Sequence, residues 1–226
     1  MIGINLRHRD PPGFHIRDAT LDDVEALTQL WYDSFHRSHK FLHYATPDDA
    51  ETREWLNEVW TMGIQAGPEV LRTFVVEDLN EGGRLAAFCR IHVPQLDGNQ
   101  DIPMPELPAG HDLEIADALW GGMARNRAAI MGKQLHWMGE FLGVDEPYQK
   151  RGLATPLLDW ICQQADATGL EIYIDATAVG IPIYEKHYGF RPVKRLEMPK
   201  RPGKYDSYVV VAMVRPPLRP VFRSRL

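Results

Sequence analysis

Two spacings of apolar residues alternate along this chain, and each change of spacing marks an element. Residues 14–17 read as a short strand. Thr20 follows as an N-cap, with Asp22 and Asp23 in the first turn, where the helix dipole favours acids. Val24, Leu27, Leu30, Trp31 and Phe35 then recur at helical spacing. Thr46-Pro47-Asp48-Asp49 opens a second helix with Trp55, Val59 and Trp60 on its apolar face. Residues 72–78 and 85–93 are β-rich runs, and the turn Asn80-Glu81-Gly82-Gly83 between them predicts a hairpin. Residues 94–112, rich in Pro, Gly and Asp, read as an excursion loop. Residues 112–132 read as helical, weakened in the middle by Gly121-Gly122.

A strand over 136–144 comes next. Beyond it Leu153, Leu157, Leu158, Ile161, Cys162 and Ala165 form the stripe of a helix. Pro156 is tolerated only in a first turn, so this helix starts near Gly152. A strand over 170–176, a short helix over 180–188 and strands over 190–198 and 205–214 complete the pattern. Strands and helices mixed over one core predict an α+β domain. The expected boundaries are a flexible leader over 1–13, one domain over 14–214, and a flexible basic tail over 215–226 that holds Pro216, Pro217 and Pro220.

The junction of strand 136–144 with the next helix carries the most specific chemistry. It reads Leu142-Gly143-Val144-Asp145-Glu146-Pro147-Tyr148-Gln149-Lys150-Arg151-Gly152-Leu153-Ala154. The first N–H groups of a helix lack intrahelical partners and carry the positive end of the dipole. Gly152 lets the backbone approach an anion, and Lys150 and Arg151 add full charges, so a diphosphate fits here. The pattern of a P-loop is missing, and Gly152 alone does not make a dinucleotide fingerprint.

Gln149-x-x-Gly152-x-Ala154 resembles the pyrophosphate signature of the GNAT superfamily of acetyl-CoA-dependent N-acetyltransferases. Ile183-Tyr184-Glu185-Lys186-His187-Tyr188-Gly189-Phe190 is similar to a second element of that family, with one extra residue before Gly-Phe. Residues 14–24 look like its opening strand and first helix. The three segments fall in the family's order, and the likeness spans roughly residues 14–214. The resemblance implies a GNAT fold: a central mixed, mostly antiparallel sheet, splayed at the acetyl-CoA site and flanked by helices. It also implies acetyl-CoA as cosubstrate, with no metal. Leu142, Gly143 and Val144 would meet the pantetheine arm, and Gln149, Lys150, Arg151, Gly152, Leu153, Ala154 and Thr155 the pyrophosphate. Thr177 stands near the place where many members carry Asn, and its hydroxyl would substitute.

For the chemistry, the resemblance makes Tyr184 the acid that protonates the leaving thiolate; the alternative is a core tyrosine. Glu140 is the candidate base. It lies four residues before Val144, so regular alternation puts it on one face with Leu142 and Val144. An alkylammonium, with a pKa near ~10, needs such a group, directly or through water. The alternative is a carboxylate that is solvated or partners an arginine. Another family carboxylate position falls on Met138, which cannot serve. Phe35 and His36 are expected beside the acceptor. His36, His39 and His43 could share a helix face, yet no neighbouring Cys or Asp completes a metal site.

Composition narrows the partners. A net charge of −6 gives no basic surface for nucleic acid and mildly favours a cationic substrate. No apolar run reaches a membrane span, and the charged N-terminus lacks an apolar signal core. Cys89 and Cys162 sit in apolar surroundings and read as core thiols in a reducing compartment, so cytoplasm is the expectation. The expected function is direct acetyl transfer to a primary amine of a small molecule, by a monomer or homodimer. A protein lysine, histone or N-terminal acetyltransferase and a non-catalytic CoA-binding module are the alternatives.

Overall fold

A computed structural model describes residues 9–36, 39–96 and 104–218. Seven strands form one sheet in the order β1-β2-β3-β4-β5-β7-β6: β1 Phe14–Asp18, β2 Leu71–Asp78, β3 Arg84–His92, β4 His136–Val144, β5 Glu171–Thr177, β6 Arg191–Glu197 and β7 Val209–Arg215. Every neighbouring pair is antiparallel except β4 and β5, which run parallel. Parallel neighbours need a crossover, and α6 (Ala154–Thr168) supplies it. The sheet is therefore mixed, mostly antiparallel and open, as the sequence predicts.

Both faces are covered. On one, Leu157, Trp160 and Ile161 of α6 pack with Trp137 of β4 and Phe74 of β2. On the other, α1 (Val24–Phe35) and α3 (Ala50–Gln65) bring Trp31 and Trp60 against Phe88 of β3. Trp60 is fully buried, its ring edge-on to Phe88 at 5.5 Å. Thr20 caps the first helical turn, its amide donating to the Asp23 carboxylate at 2.7 Å. The helix expected to open at Thr46 starts later, where Asp49 accepts the Thr52 amide at 2.8 Å, and Thr46 instead ends the short α2 (Lys40–Ala45).

The helical stretch before β4 is interrupted where Gly121-Gly122 weakens it. α4 (Leu113–Ala116) passes through a π-helical turn, Asp117–Gly121, into α5 (Gly122–Met131). Asp112 starts it, held by two bonds from Arg201 at 2.7 and 3.0 Å. α7 (Ile181–Tyr188) closes the far end of the site.

Parts of the expected leader and tail are tied to the domain. Asp10 accepts the Ile16 amide at 2.9 Å, and Asp166 accepts the Leu218 amide at 2.7 Å while pairing Arg215. Residues 1–8 and 219–226 lie outside the described residues. Among the described residues, no helix is long and apolar enough to cross a membrane.

Candidate active site

β4 and β5 pair at four positions only, from His136↔Glu171 to Gly139↔Ile174. Beyond that point each strand keeps its outer neighbour, β4 with β3 as far as Val144 and β5 with β7 as far as Thr177. The two strands part, and the sheet opens between them.

An extra residue in β4 marks the parting. Arg90 pairs with Phe141 and Ile91 with Gly139, so Glu140 has no opposite number. Alternation is reset across it. Leu142 and Val144 pack into the α6-side core, whereas Phe141 packs with the α1 and α3 side. Glu140 bonds to Arg90 and His92, on strand β3, where Phe88 belongs to that same second side. The expectation that Glu140 shares a face with Leu142 and Val144 is thus corrected, because a bulge puts it on the face with Phe141. Gly143 is required by the close approach of β3: a Cβ there would lie 2.3 Å from Phe88 Cε1.

At the end of β4 the chain turns through Glu146–Tyr148, a single 3-10 turn. The Asp145 amide donates to the Ala86 carbonyl at 3.0 Å, and buried Tyr148 packs edge-on against Phe14. Gln149 Nε2 donates back to the Val144 carbonyl at 3.2 Å. Lys150 (φ 61°) and Gly152 (φ 81°) take left-handed conformations, and buried Leu153 anchors the start of α6. Alternating backbone of this kind forms an anion-binding concavity. Among the described hydrogen bonds, none runs from the backbone amides of Lys150 to Ala154 to another backbone group. The Arg151 guanidinium lies over the rings of Phe14 and Tyr148, at 4.9 and 5.0 Å, which fixes its charge beside the loop. Free amides, a fixed cation and a helix N-terminus suit a diphosphate.

The gap between β4 and β5 leads into a chamber lined by Cys89, Glu140, Leu142, Asp175, Thr177 and Tyr184, with Trp31, Phe35, Trp120, Phe141 and Tyr208 among its apolar walls. Phe35 is therefore in the chamber wall. His36 is not: its Nε2 lies 2.9 Å from the Thr46 carbonyl oxygen, and its ring packs on Trp31, Tyr32 and His43. His36 keeps helical backbone, its amide donating to the Tyr32 carbonyl at 2.9 Å, so the helical rotation from Phe35 to the next residue carries its ring away from the chamber. A second cavity adjoins the first and shares Trp120, Met123, Gly139, Glu140, Phe141 and Asp175 with it; Arg90, His92, Arg127 and Met138 lie on its far side.

Tyr184 sits in the first turns of α7, edge-on to Phe190 at 5.5 Å and against Gly180, where a Cβ would lie 2.7 Å from Tyr184 Cε2. Burial pushes its phenol above the ordinary range, and the neighbouring Cys89 and Tyr188 push the same way. The group keeps its proton and can only donate it. Cys89, buried, is pushed up to about 12, and Cys162 to about 11. Thiols held protonated in this way are poor nucleophiles.

Both oxygens of Glu140 are committed. Arg90 donates to them at 2.6 and 2.7 Å, and His92 Nε2 is 2.7 Å away. Burial would raise this carboxyl, but the charges of Arg90 and His92 outweigh it and hold it well below the usual carboxylate range. A carboxylate so stabilised is a weak base, and the expectation that it takes the amine's proton does not fit these partners. The alternative reading, an arginine partner, does. Arg90 itself lies between the rings of Trp60 and Phe141, 4.8 Å from each.

Asp175 was missed by the sequence reading. Its carboxylate accepts the Tyr173 hydroxyl at 3.0 Å, and among the described residues it has no ion pair. Burial pushes it up to about 7. The signal was an acid inside the apolar run Ile172-Tyr173-Ile174-Asp175-Ala176, in the strand after the phosphate loop.

A family model and several solved structures match this chain. The acetyltransferase (GNAT) family model matches residues 24–190. A polyamine N-acetyltransferase from Drosophila melanogaster, which forms N-acetylagmatine, superposes with a TM-score of 0.61 at 15% identity over 90% of this chain and 99% of that one. The C-terminal condensation domain of Ebony, in complex with β-alanyl-dopamine, gives 0.64 at 13% over 90% and 98%. The ribosomal-protein-S18-alanine N-acetyltransferase from Escherichia coli gives 0.52 at 14% over 90% and 93%. No curated protein matches the sequence.

Proposed function

Since the chain belongs to the acetyltransferase (GNAT) family, we propose that it moves an acetyl group from acetyl-CoA to a primary amine of a small molecule by direct attack. The observation that carries this reading is the continuity of three features. The amides and cations of 149–155 lie at one end of the β4–β5 opening, the chamber lies at the other, and Tyr184 lines that chamber. In this reading the loop amides hold the diphosphate, and the unpaired edge of β4 from Leu142 to Val144 lies along the pantetheine arm. Thr177 closes the arm from the β5 side.

Tyr184 donates a proton to the departing sulfur. The cysteines, held as thiols, leave the amine itself as the nucleophile. The chamber's walls of Trp31, Phe35, Trp120, Phe141 and Tyr208 suit an amine with an apolar or aromatic body. Neighbours of the same fold include a polyamine N-acetyltransferase and an acetyltransferase of an alanine of ribosomal protein S18, as their names state; the chamber's apolar walls support the small acceptor. Protein of cytoplasmic type, with reduced cysteines, agrees with the free thiols of Cys89 and Cys162.

The test is calorimetric titration with acetyl-CoA, followed by thiol release with phenethylamine, hexylamine, 1,4-diaminobutane and a lysine peptide. Micromolar binding is expected, lost in Gly152→Asp, with turnover on phenethylamine or hexylamine. Gly152 has φ 81° and faces open space, so an Asp there strains the loop and sets a negative charge in the cradle. Absence of acetyl-CoA binding to the unaltered protein would refute the reading.

A further inference from the structure

The last paired residues of the two parting strands are Gly139 and Ile174, so Glu140 and Asp175 are the first residues beyond the fork, one on each strand. Both line both cavities, which places two carboxyl groups across the passage between them. They share a face of the sheet: Ile172, Ile174 and Ala176 pack toward α6, leaving Tyr173 and Asp175 on the side of α5. Their surroundings are opposite. Glu140 is clamped by a guanidinium and an imidazole, while Asp175 meets only a phenol at hydrogen-bond distance among the described residues.

We propose that Asp175 is the catalytic base, receiving a proton from the acceptor's ammonium in the passage between the two cavities, while Glu140 stays the ionised partner of Arg90 and His92. The proposal rests on the acetyltransferase reading given above. The division of labour follows from general chemistry: of two carboxyl groups in one site, the one whose surroundings disfavour its charge is the better proton acceptor near neutrality. Burial raises Asp175 to about 7, while Tyr173 and the charge of Arg127 on α5 hold it from rising further. The other groups around it are accounted for. Glu140 faces it from β4, with its charge matched by Arg90 and His92 on β3, and the phenols Tyr184 and Tyr208 line the same chamber. On β7 its register partner is Ala212, which brings no charge.

The protons balance. The ammonium gives one proton to Asp175, which passes it to solvent after turnover. The free amine's nitrogen joins the acetyl carbon, and the thioester C–S bond breaks. Tyr184 protonates the sulfur and is restored by the second proton leaving the nitrogen. No oxidant or further reactant is needed.

The experiment is the pH dependence of kcat/KM for phenethylamine, in the unaltered protein and in Asp175→Asn and Asp175→Glu, with acetyl-CoA binding measured for each. The unaltered protein should rise through pH about 7 to a plateau. Asp175→Asn should lose about 10²-fold or more, bind acetyl-CoA normally, and keep climbing toward the amine's own pKa near ~10. Asp175→Glu should recover part of the rate and the plateau. An Asp175→Asn protein with the unaltered rate and profile would overturn the proposal while leaving the acetyltransferase reading intact. A flat profile through pH 7 in the unaltered protein would overturn it whatever the variants do. Failure of the unaltered protein to bind acetyl-CoA would remove both.

Discussion

Replacing Glu140 by Gln tests the electrostatic core of the site. The side chains of Arg90 and His92 are 5% and 6% exposed, and that of Glu140 is 22% exposed, so the buried Arg90 guanidinium depends on this carboxylate for its compensating charge. Removing one partner of a buried ion pair costs about 3–5 kcal/mol, because the other charge stays buried without compensation. Two features put this case near the lower figure. Arg90 keeps the Val59 carbonyl at 3.3 Å and the two ring faces at 4.8 Å, and a Gln oxygen still accepts one bond. The expected loss is therefore about 3 kcal/mol in urea unfolding at pH 7. Its pH dependence has a definite sign. Glu140 is depressed in the folded state, so its stabilisation is complete above the unfolded carboxyl value of ~4.3 and is lost as pH falls through that range toward the folded value. The difference between Glu140→Gln and the unaltered protein should shrink below pH ~4. A loss under about 1 kcal/mol at pH 7, or a difference that grows in acid, would show that the carboxylate is not what holds Arg90 and His92.

Other outcomes follow from single contacts. Tyr184→Phe should lower kcat by about 10²-fold with acetyl-CoA affinity unchanged in calorimetry, since the phenol contributes a proton and its ring packing on Phe190 survives. Gly143→Ala should cost about 1–3 kcal/mol in thermal unfolding and weaken acetyl-CoA binding, because a Cβ 2.3 Å from Phe88 Cε1 and 3.0 Å from Ser34 Cβ forces β4 away from β3 and α1.

The elements of the fold were legible because their signals are local. Thr20 with Asp22 and Asp23, and Pro156 in the first turn of α6, each act within a few residues, and the structure starts helical turns there, while the helix expected from Thr46 starts at Asp49. The strand 136–144 was read with its observed bounds because its apolar pattern stops at the turn into Pro147. The residues of the candidate site were less legible, since their meaning depends on pairing across the sheet. Alternation along β4 counts residues as if each had a partner, and one bulge at Glu140 reverses every face assignment on one side of it. His36 was expected beside the acceptor together with Phe35, but adjacent residues on a helix point about 100° apart, and its ring meets the Thr46 carbonyl instead. Asp175 drew no reading from the sequence because only the parting of β4 from β5 after Ile174 gives it a cavity to face.

The same bulge connects the fold to the chemistry. At the bulge β4 keeps its pairing with β3, and beyond Gly139 it no longer pairs with β5. Release exposes the backbone of 140–144 along one edge of the gap, and it leaves Asp175 without a strand beside it on that side. Filling the gap with a regular strand would satisfy those backbone groups and bury Asp175 between sheet and α5, where its charge would have no use. The unpaired internal edge of β4 and the buried carboxyl of Asp175 therefore lie together at the fork, where the proposed function sets the thioester arm and the acceptor's ammonium.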